Sequence, residues 1–378
     1  MKHNWEYKPF KQLSDILYGC PFESEFFNSE SKGMPLIRIR DVKPGYTSTY
    51  FNGGYSDDYI IKKGDYLIGM DGEFNIAPWQ SEDALLNQRV CRVKSINENV
   101  ILSNFIYYFL GKELKDIEAQ TSFVTVKHLS AKVLNAINTP VPPMEVQEQI
   151  VAELDTINET IEDCRELLRN LDALALSLFY DTFGDPVTNP KGWDIKKLDE
   201  ICRAISTGIT YKPDNVADIG TIVLRSSNIQ NSSFVLDDIV HIDMSLKPSQ
   251  YVQKNDILMC SRNGSARLVG KVALIPQLNE KMSWGAFMTI IRSDYYHYLF
   301  QFFRLPAFRE QLTKTKTTTV NQITIGMLKK IQIPMPPLSL QEQFASRIEQ
   351  IEAQKKAVEE TIENMQTLLD SRMDYWFN

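Results

Sequence analysis

The stretch PVPPMEVQEQI, Pro140 to Ile150, closes one segment of this chain and opens another, and PMPPLSLQEQF, Pro334 to Phe344, repeats it 194 residues later. Two prolines fix φ, remove two backbone donors and push the residue before them out of the α region. Each hinge therefore ends a strand and holds an extended approach to whatever follows. Ile137 to Phe183 aligns with Ile331 to Phe377 without a gap, with Pro-x-Pro-Pro and Gln-Glu-Gln kept in both. The chain is an internal duplication and is read in halves.

After each hinge the apolar residues fall into a heptad seam. The first copy runs Ile150, Leu154, Ile157, Ile161, Cys164, Leu168, Leu171, Ala175, Leu178, and the second runs Phe344, Ile348, Ile351, Lys355, Val358, Ile362, Met365, Leu369, Arg372. Steps alternating between four and three predict coiled-coil helices. About 30 residues at 1.5 Å each make a rod of roughly 45 Å. A long folded segment returns the chain between them, so antiparallel pairing is expected, with a globular domain at each end. Ser339 and Glu342 suit a capping box at the second helix start. Glu145 and Glu148 suit the dipole at the first. Gln147, Glu148, Gln149 and their counterparts Gln341, Glu342, Gln343 fall in the first turns, as capping and solvated residues or as a subunit contact.

The segments before each hinge also correspond. Trp5 to Leu13 resembles Trp193 to Ile201, Pro35 to Arg38 resembles Ile222 to Arg225, and Thr125 to Leu134 matches Thr319 to Leu328 in register with the hinge. YIIKKGDYLIGMDG, Tyr59 to Gly72, faces YVQKNDILMCSRNG, Tyr251 to Gly264, and each predicts a turn in which Gly64 or Asn255 takes positive φ before an aspartate and an apolar strand. The expected fold class is α+β: two globular α/β domains, 1–139 and 184–333, separated by two long antiparallel coiled-coil helices, 140–183 and 334–378, with pseudo-twofold symmetry.

The 378 residues are 43% apolar, enough for two or three domain cores. No run of 18 apolar residues occurs, and MKHNWEYKPF lacks the apolar stretch of a signal peptide, so the reading is a cytoplasmic protein with no membrane partner. Five scattered cysteines without a CxxC fit reduced thiols. The net charge of −7 is concentrated in the two duplicated helical segments. The globular segments are near neutral and, in the second, basic, which leaves room for a DNA-binding face.

PLIRIRDV, then KKGDYLIGMDG, a TVKHL segment before INTPVPP, and QEQI opening a long heptad helix, all present twice over the full chain, resemble the specificity subunit of a type I restriction-modification system. The resemblance implies two target recognition domains, each reading half of a bipartite double-stranded DNA sequence. It also implies that the helices dock two copies of an adenine methyltransferase subunit, with restriction subunits as possible further partners. One departure is Asn255, where the family's turn carries Gly.

Catalytic signatures are absent: no GxxxxGK[ST], GxGxxG after a strand, HExxH, or NPPY-like tetrapeptide. His3, His128, His241 and His297 are isolated. No cofactor, metal or catalytic residue is expected. DNA reading needs forked donors for guanine, amides for adenine and many phosphate contacts. The first domain offers Arg38, Arg40, Gln88, Arg89 and Lys127, the last beside His128. The second offers Arg225, Asn228, Arg262, Asn263 and Arg267, then Lys314, Lys316, Asn321 and Gln322. The aromatic runs Phe105 to Leu110 and Tyr295 to Phe303 read as core elements rather than stacking platforms. A coiled-coil scaffold that binds only proteins is the competing reading.

Overall fold

The structure, a computed structural model, describes residues 4–120, 127–314 (Lys314 without its side chain) and 322–378. The chain divides into two compact units, Met1–Arg165 with Glu359–Asn378, and Glu166–Val358. Each unit therefore takes part of both hinge helices.

In the first unit the strand entering the hinge, Asn138–Val141, pairs antiparallel with Glu6–Pro9, placing Tyr7 opposite Pro140. This small two-stranded ribbon has no inner strand, so Pro140 can lack a donor without breaking a ladder. Four antiparallel strands follow in the order Ser14–Tyr18, Val90–Ser95, Tyr66–Gly69, Asn75–Pro78. Met34–Ile37 and Ala84–Leu86 form a parallel pair in a second sheet. Helix Ser103–Gln120 carries the run FIYYFL, and Phe105, Ile106, Tyr108, Phe109 and Leu110 are buried. They pack with Phe10, Ile68, Cys91 and Val93, and with Ile150, Leu154 and Trp376 from the hinge helices.

The second unit repeats this topology. Gln332–Met335 pairs with Asp194–Lys197, and four antiparallel strands stand in the order Ala204–Thr207, Met288–Arg292, Ile257–Cys260, Val272–Leu274. Thr221–Leu224 and Met282–Trp284 supply the parallel pair. Helix Tyr296–Arg304 buries Tyr298, Leu299, Phe300, Phe302 and Phe303, against Phe179, Phe183 and Phe344. The predicted turns are present: Gly64 has φ +96° and Asn255 φ +69°. Asp65 accepts from Lys62 N at 2.7 Å and Asp256 from Gln253 N at 2.8 Å, closing the same side-chain turn twice.

The hinge helices span Met144–Phe183 and Leu338–Phe377, 40 residues each. Their seams are covered in part: Ile150, Leu154, Ile157, Ile161, Leu171 and Ala175 are buried in one and Phe344, Ile348 and Ile351 in the other, while Cys164, Leu168, Leu178, Val358, Ile362, Met365 and Leu369 are half-buried. The two polar seam positions meet acids on the opposite helix. In the first unit Arg372 pairs with Glu153, and Trp376 Nε1 donates to the same carboxylate at 2.9 Å. In the second, buried Lys355 reaches Asp172 at 3.0 Å. Early residues of one helix thus meet late residues of the other within each unit.

One local expectation is corrected. The second helix begins at Leu338, ahead of Ser339, so Ser339 lies inside the first turn and is no N-cap.

Candidate nucleic-acid interface

The strand Ile257–Cys260 runs on into Ser261, whose N–H donates to Phe287 O at 3.0 Å and whose carbonyl accepts from Ile323 N at 2.7 Å. Arg262 then bridges to Gln322. Three separate segments are thereby held side by side at one end of the sheet. They form the wall of a cleft of about 1080 Å³, lined also by Arg225, Asn263, Tyr211 and Asp238. Four residues expected from the sequence, Arg225, Arg262, Asn263 and Gln322, come together here.

Each is held differently. Arg225 donates through Nη2 to Asp238 O at 2.9 Å and pairs with its carboxylate at 2.8 Å. The exposed Arg262 guanidinium lies 5.3 Å from the centre of the Phe287 ring, a cation–π clamp. Phe287 itself is 58% exposed, unusual for a phenylalanine beside a sheet. Asn263 Nδ2 donates to Ser226 Oγ at 3.2 Å, while its Oδ1 accepts from Ser265 N at 3.0 Å. Arg267 stands exposed on the turn Ala266–Leu268. Lys271 lies beneath this surface and donates to Ile229 O at 2.8 Å; its burial pushes the ammonium pKa down.

The first unit builds the same junction from other side chains. Met70 N donates to Arg89 O at 2.9 Å, Met70 O accepts from Leu129 N at 2.7 Å, and Asp71 bridges to His128. Asp71, Arg89 and His128 therefore stand where Arg262, Phe287 and Gln322 stand in the second unit. The Asp71 carboxylate is 3.1 Å from Arg89 Nη1 and 2.5 Å from His128 Nδ1. Lys127 is tied to Glu118 at 2.8 Å, and that pairing holds the Glu118 carboxyl below its usual range. Arg40 lines a neighbouring groove with Lys43, Asp71 and Asn75. Arg38 and Gln88 are exposed.

Three expectations are corrected. Asn228 is fully buried: its Oδ1 accepts from Arg225 N at 2.8 Å, and its Nδ2 donates to Val235 O and Asp237 O. It shapes the loop under Arg225 and presents nothing to DNA. Gln147 is likewise buried, donating to Val100 O and Pro142 O and accepting from Leu102 N. Gln341 is 5% exposed and donates to Pro336 O at 2.8 Å. These two glutamines latch each hinge to its helix and are closed to a partner; Glu148, Gln149, Glu342 and Gln343 are exposed. Lys316 and Asn321 lie outside the described residues, as does the side chain of Lys314. Sequence reasoning passed over Asp71 and Phe287 because it looked for donors. The signal was the common frame, in which MDG and SRNG occupy one place.

Among the described residues no three His, Cys, Asp or Glu side chains stand close enough to hold a metal ion. No described helix is long and apolar enough to cross a membrane.

A family model for the Type I restriction modification DNA specificity domain matches residues 2–170 and again 190–365. The type I restriction enzyme EcoBI specificity subunit of Escherichia coli is 28% identical over 398 residues, covering 96% of this chain and 82% of that protein. The MjaVIII specificity subunit of Methanocaldococcus jannaschii is 21% identical over 84% of this chain and 82% of its own. Among solved structures, the S subunit of a type I restriction-modification system from M. genitalium is similar in fold, with TM-score 0.53 and 14% identity over 98% of this chain and 96% of that one. A chain from a type I R-M system studied for its complex assembly and conformational transition is also similar, with TM-score 0.55 and 16% identity, covering 99% and 97%. The duplicated fold and both matched segments agree: this chain belongs to the type I restriction-modification DNA specificity family and carries its domain twice.

Proposed function

We propose that the chain confers sequence specificity on a type I restriction-modification enzyme by reading a bipartite DNA target, one half-site per unit, and itself catalyses nothing. The observation that carries this is the common backbone junction with unlike side chains: Asp71, Arg89, His128 in one unit, Arg262, Phe287, Gln322 in the other. A scaffold that places different hydrogen-bonding groups at matching positions is suited to reading two different sequences with one docking geometry. Arg38, Arg40, Gln88 and Arg225, Asn263, Arg267 surround the two junctions as further base or phosphate contacts. Lys127, Lys314, Lys316 and Asn321 belong to the same proposal.

The hinge helices, in this reading, form an antiparallel coiled-coil spacer with pseudo-twofold symmetry that docks two methyltransferase subunits. Leu174 and Leu368 occupy the same position in the two copies and are 52% and 41% exposed. Paired exposed leucines at duplicated positions suit two copies of one partner, and Glu148, Gln149, Glu342 and Gln343, exposed in the first turns of the helices, belong to the same docking proposal. The scaffold alternative leaves the Arg262 cleft without a use.

The test is co-expression with a type I methyltransferase subunit from the same genome, followed by long-read mapping of modified adenines. Two short defined halves around a fixed unspecified gap are expected. A continuous motif, or a stable complex that modifies nothing, overturns the reading. Binding of the complex to DNA is expected to fall steeply with salt, as counterion release requires.

A further inference from the structure

We propose that each unit holds one arginine at the same point of the common junction to read a guanine, and that Asp71 and Phe287 are the positioning residues. The proposal rests on the DNA reading above. It comes from an exchange visible between the two junctions. In the first unit the arginine is Arg89 and its holder, Asp71, comes from the segment after the strand Tyr66–Gly69. In the second the arginine comes from that equivalent segment, as Arg262, and its holder is Phe287, at the place of Arg89. Arginine and holder have traded segments, yet in both units the guanidinium meets its holder across the same pair of equivalent positions.

The means of holding differ in chemistry and agree in effect. Asp71 forms an ion pair at 3.1 Å with Arg89 and keeps only 15% of its own side chain exposed, while Arg89 keeps 65%. Phe287 offers its ring face to Arg262. A flexible side chain tethered near its tip loses less rotamer freedom when it binds, and the guanidinium fork matches guanine O6 and N7. Backbone conformation supplies an independent sign. Arg89 has φ +70°; the other non-glycine residues with positive φ among those described are Ser31, Asn189, Asn231, Ser232, Asp238 and Asn255. Asn and Asp favour the left-handed region and the two serines are small, whereas a long β-methylene side chain such as arginine is rare there. A long cation at a site that suits glycine or asparagine points to a use for its side chain. His128 and Gln322 complete the two junctions on the third segment.

The experiment uses the full chain in complex with its methyltransferase. Its target is first read from the methylome and then synthesised as duplexes with 7-deazaguanine, which lacks the N7 acceptor, at each guanine in turn. We expect one guanine per half-site at which this single-atom change weakens binding about tenfold or more. In Asp71→Asn the sensitivity of one half-site vanishes and its base preference relaxes, while the other half-site is unchanged. Phe287→Leu does the reverse, and Phe287→Tyr, which keeps a ring face, behaves as the parent. Arg89→Lys keeps a cation for Asp71, loses the fork, and loses the same 7-deazaguanine sensitivity as Asp71→Asn. Tolerance of 7-deazaguanine at every position overturns the proposal, as does equal weakening of both half-sites in Asp71→Asn. Should the parent complex modify no split motif, the bipartite reading itself falls. A split motif left intact by Asp71→Asn and Phe287→Leu overturns this inference alone.

Discussion

Asp256 and Asp65 occupy the same turn and carry unequal burdens. Both close the turn through a backbone N–H, but Asp256 is fully buried and also receives Arg292 Nε at 2.6 Å and Nη2 at 2.7 Å. Asp256→Ala removes the carboxylate partner of the half-buried Arg292 guanidinium as well as the turn bond, and is expected to destabilise the second unit by about 3 kcal/mol. Asp65→Ala removes one turn bond and should cost the first unit about 1 kcal/mol. Hydrogen exchange resolved over each unit checks the difference; equal losses would show that the ion pair contributes nothing. Gln147 permits a sharper test. Its amide donates to two carbonyls and accepts from one N–H, all inside the protein. Gln147→Glu keeps size but turns both donors into acceptors, and should destabilise the first unit by about 2–4 kcal/mol. Gln341→Glu breaks the single bond to Pro336 O, so a smaller loss is expected in the second unit.

The hinge helices were largely legible in the sequence, and for a physical reason: period and proline are local signals. Both helices begin right after the Pro-Pro pair and end at Phe183 and Phe377, equivalent positions under the repeat. Lys355 and Arg372 interrupt the heptads as written, yet their acids, Asp172 and Glu153, lie on the other copy, where no local pattern points to them. The turns at Gly64 and Asn255 and the core role of FIYYFL were legible in the same way. What escaped was burial within a polar run. Gln147 and Glu148 are neighbours of similar character, and only the surrounding fold seals one and exposes the other. The Asp71 junction escaped because its members come from three distant segments. The Glu153 pairing carries a pH signature. Arg372 and the Trp376 N–H hold the Glu153 carboxyl below its usual range. A lowered carboxyl pKa adds stability that is present above the unfolded value, about 4.3, and is lost as pH falls through the folded one. The helix pairing in the first unit is therefore expected to weaken below about pH 4 in the parent and to lose that component in Glu153→Gln. Hydrogen exchange across residues 359–378 against pH reads it; identical profiles would remove Glu153 from the account.

At the scale of the whole molecule, the proposed spacer makes a prediction in base pairs. Inserting seven residues in each helix, after Arg165 and before Glu359, preserves the seam register. At 1.5 Å per residue the helices lengthen by about 10 Å, or about 3 base pairs at 3.4 Å each. The methylome should then show the gap between half-sites longer by that amount, with both halves unaltered; an unchanged gap would refute the spacer. The division of the chain has a consequence of another kind. Residues 166–358 form an uninterrupted unit, whereas the first unit needs Leu369, Met373, Trp376 and Phe377 to close its core. A chain emerging from the ribosome therefore makes the second unit complete before the first, the reverse of the usual vectorial order. Until residues 359–378 are translated, the N-terminal half waits with its core open beside Phe105 and Phe109, whose rings meet Phe377 in the folded unit, and it is this half that a nascent-chain chaperone would meet.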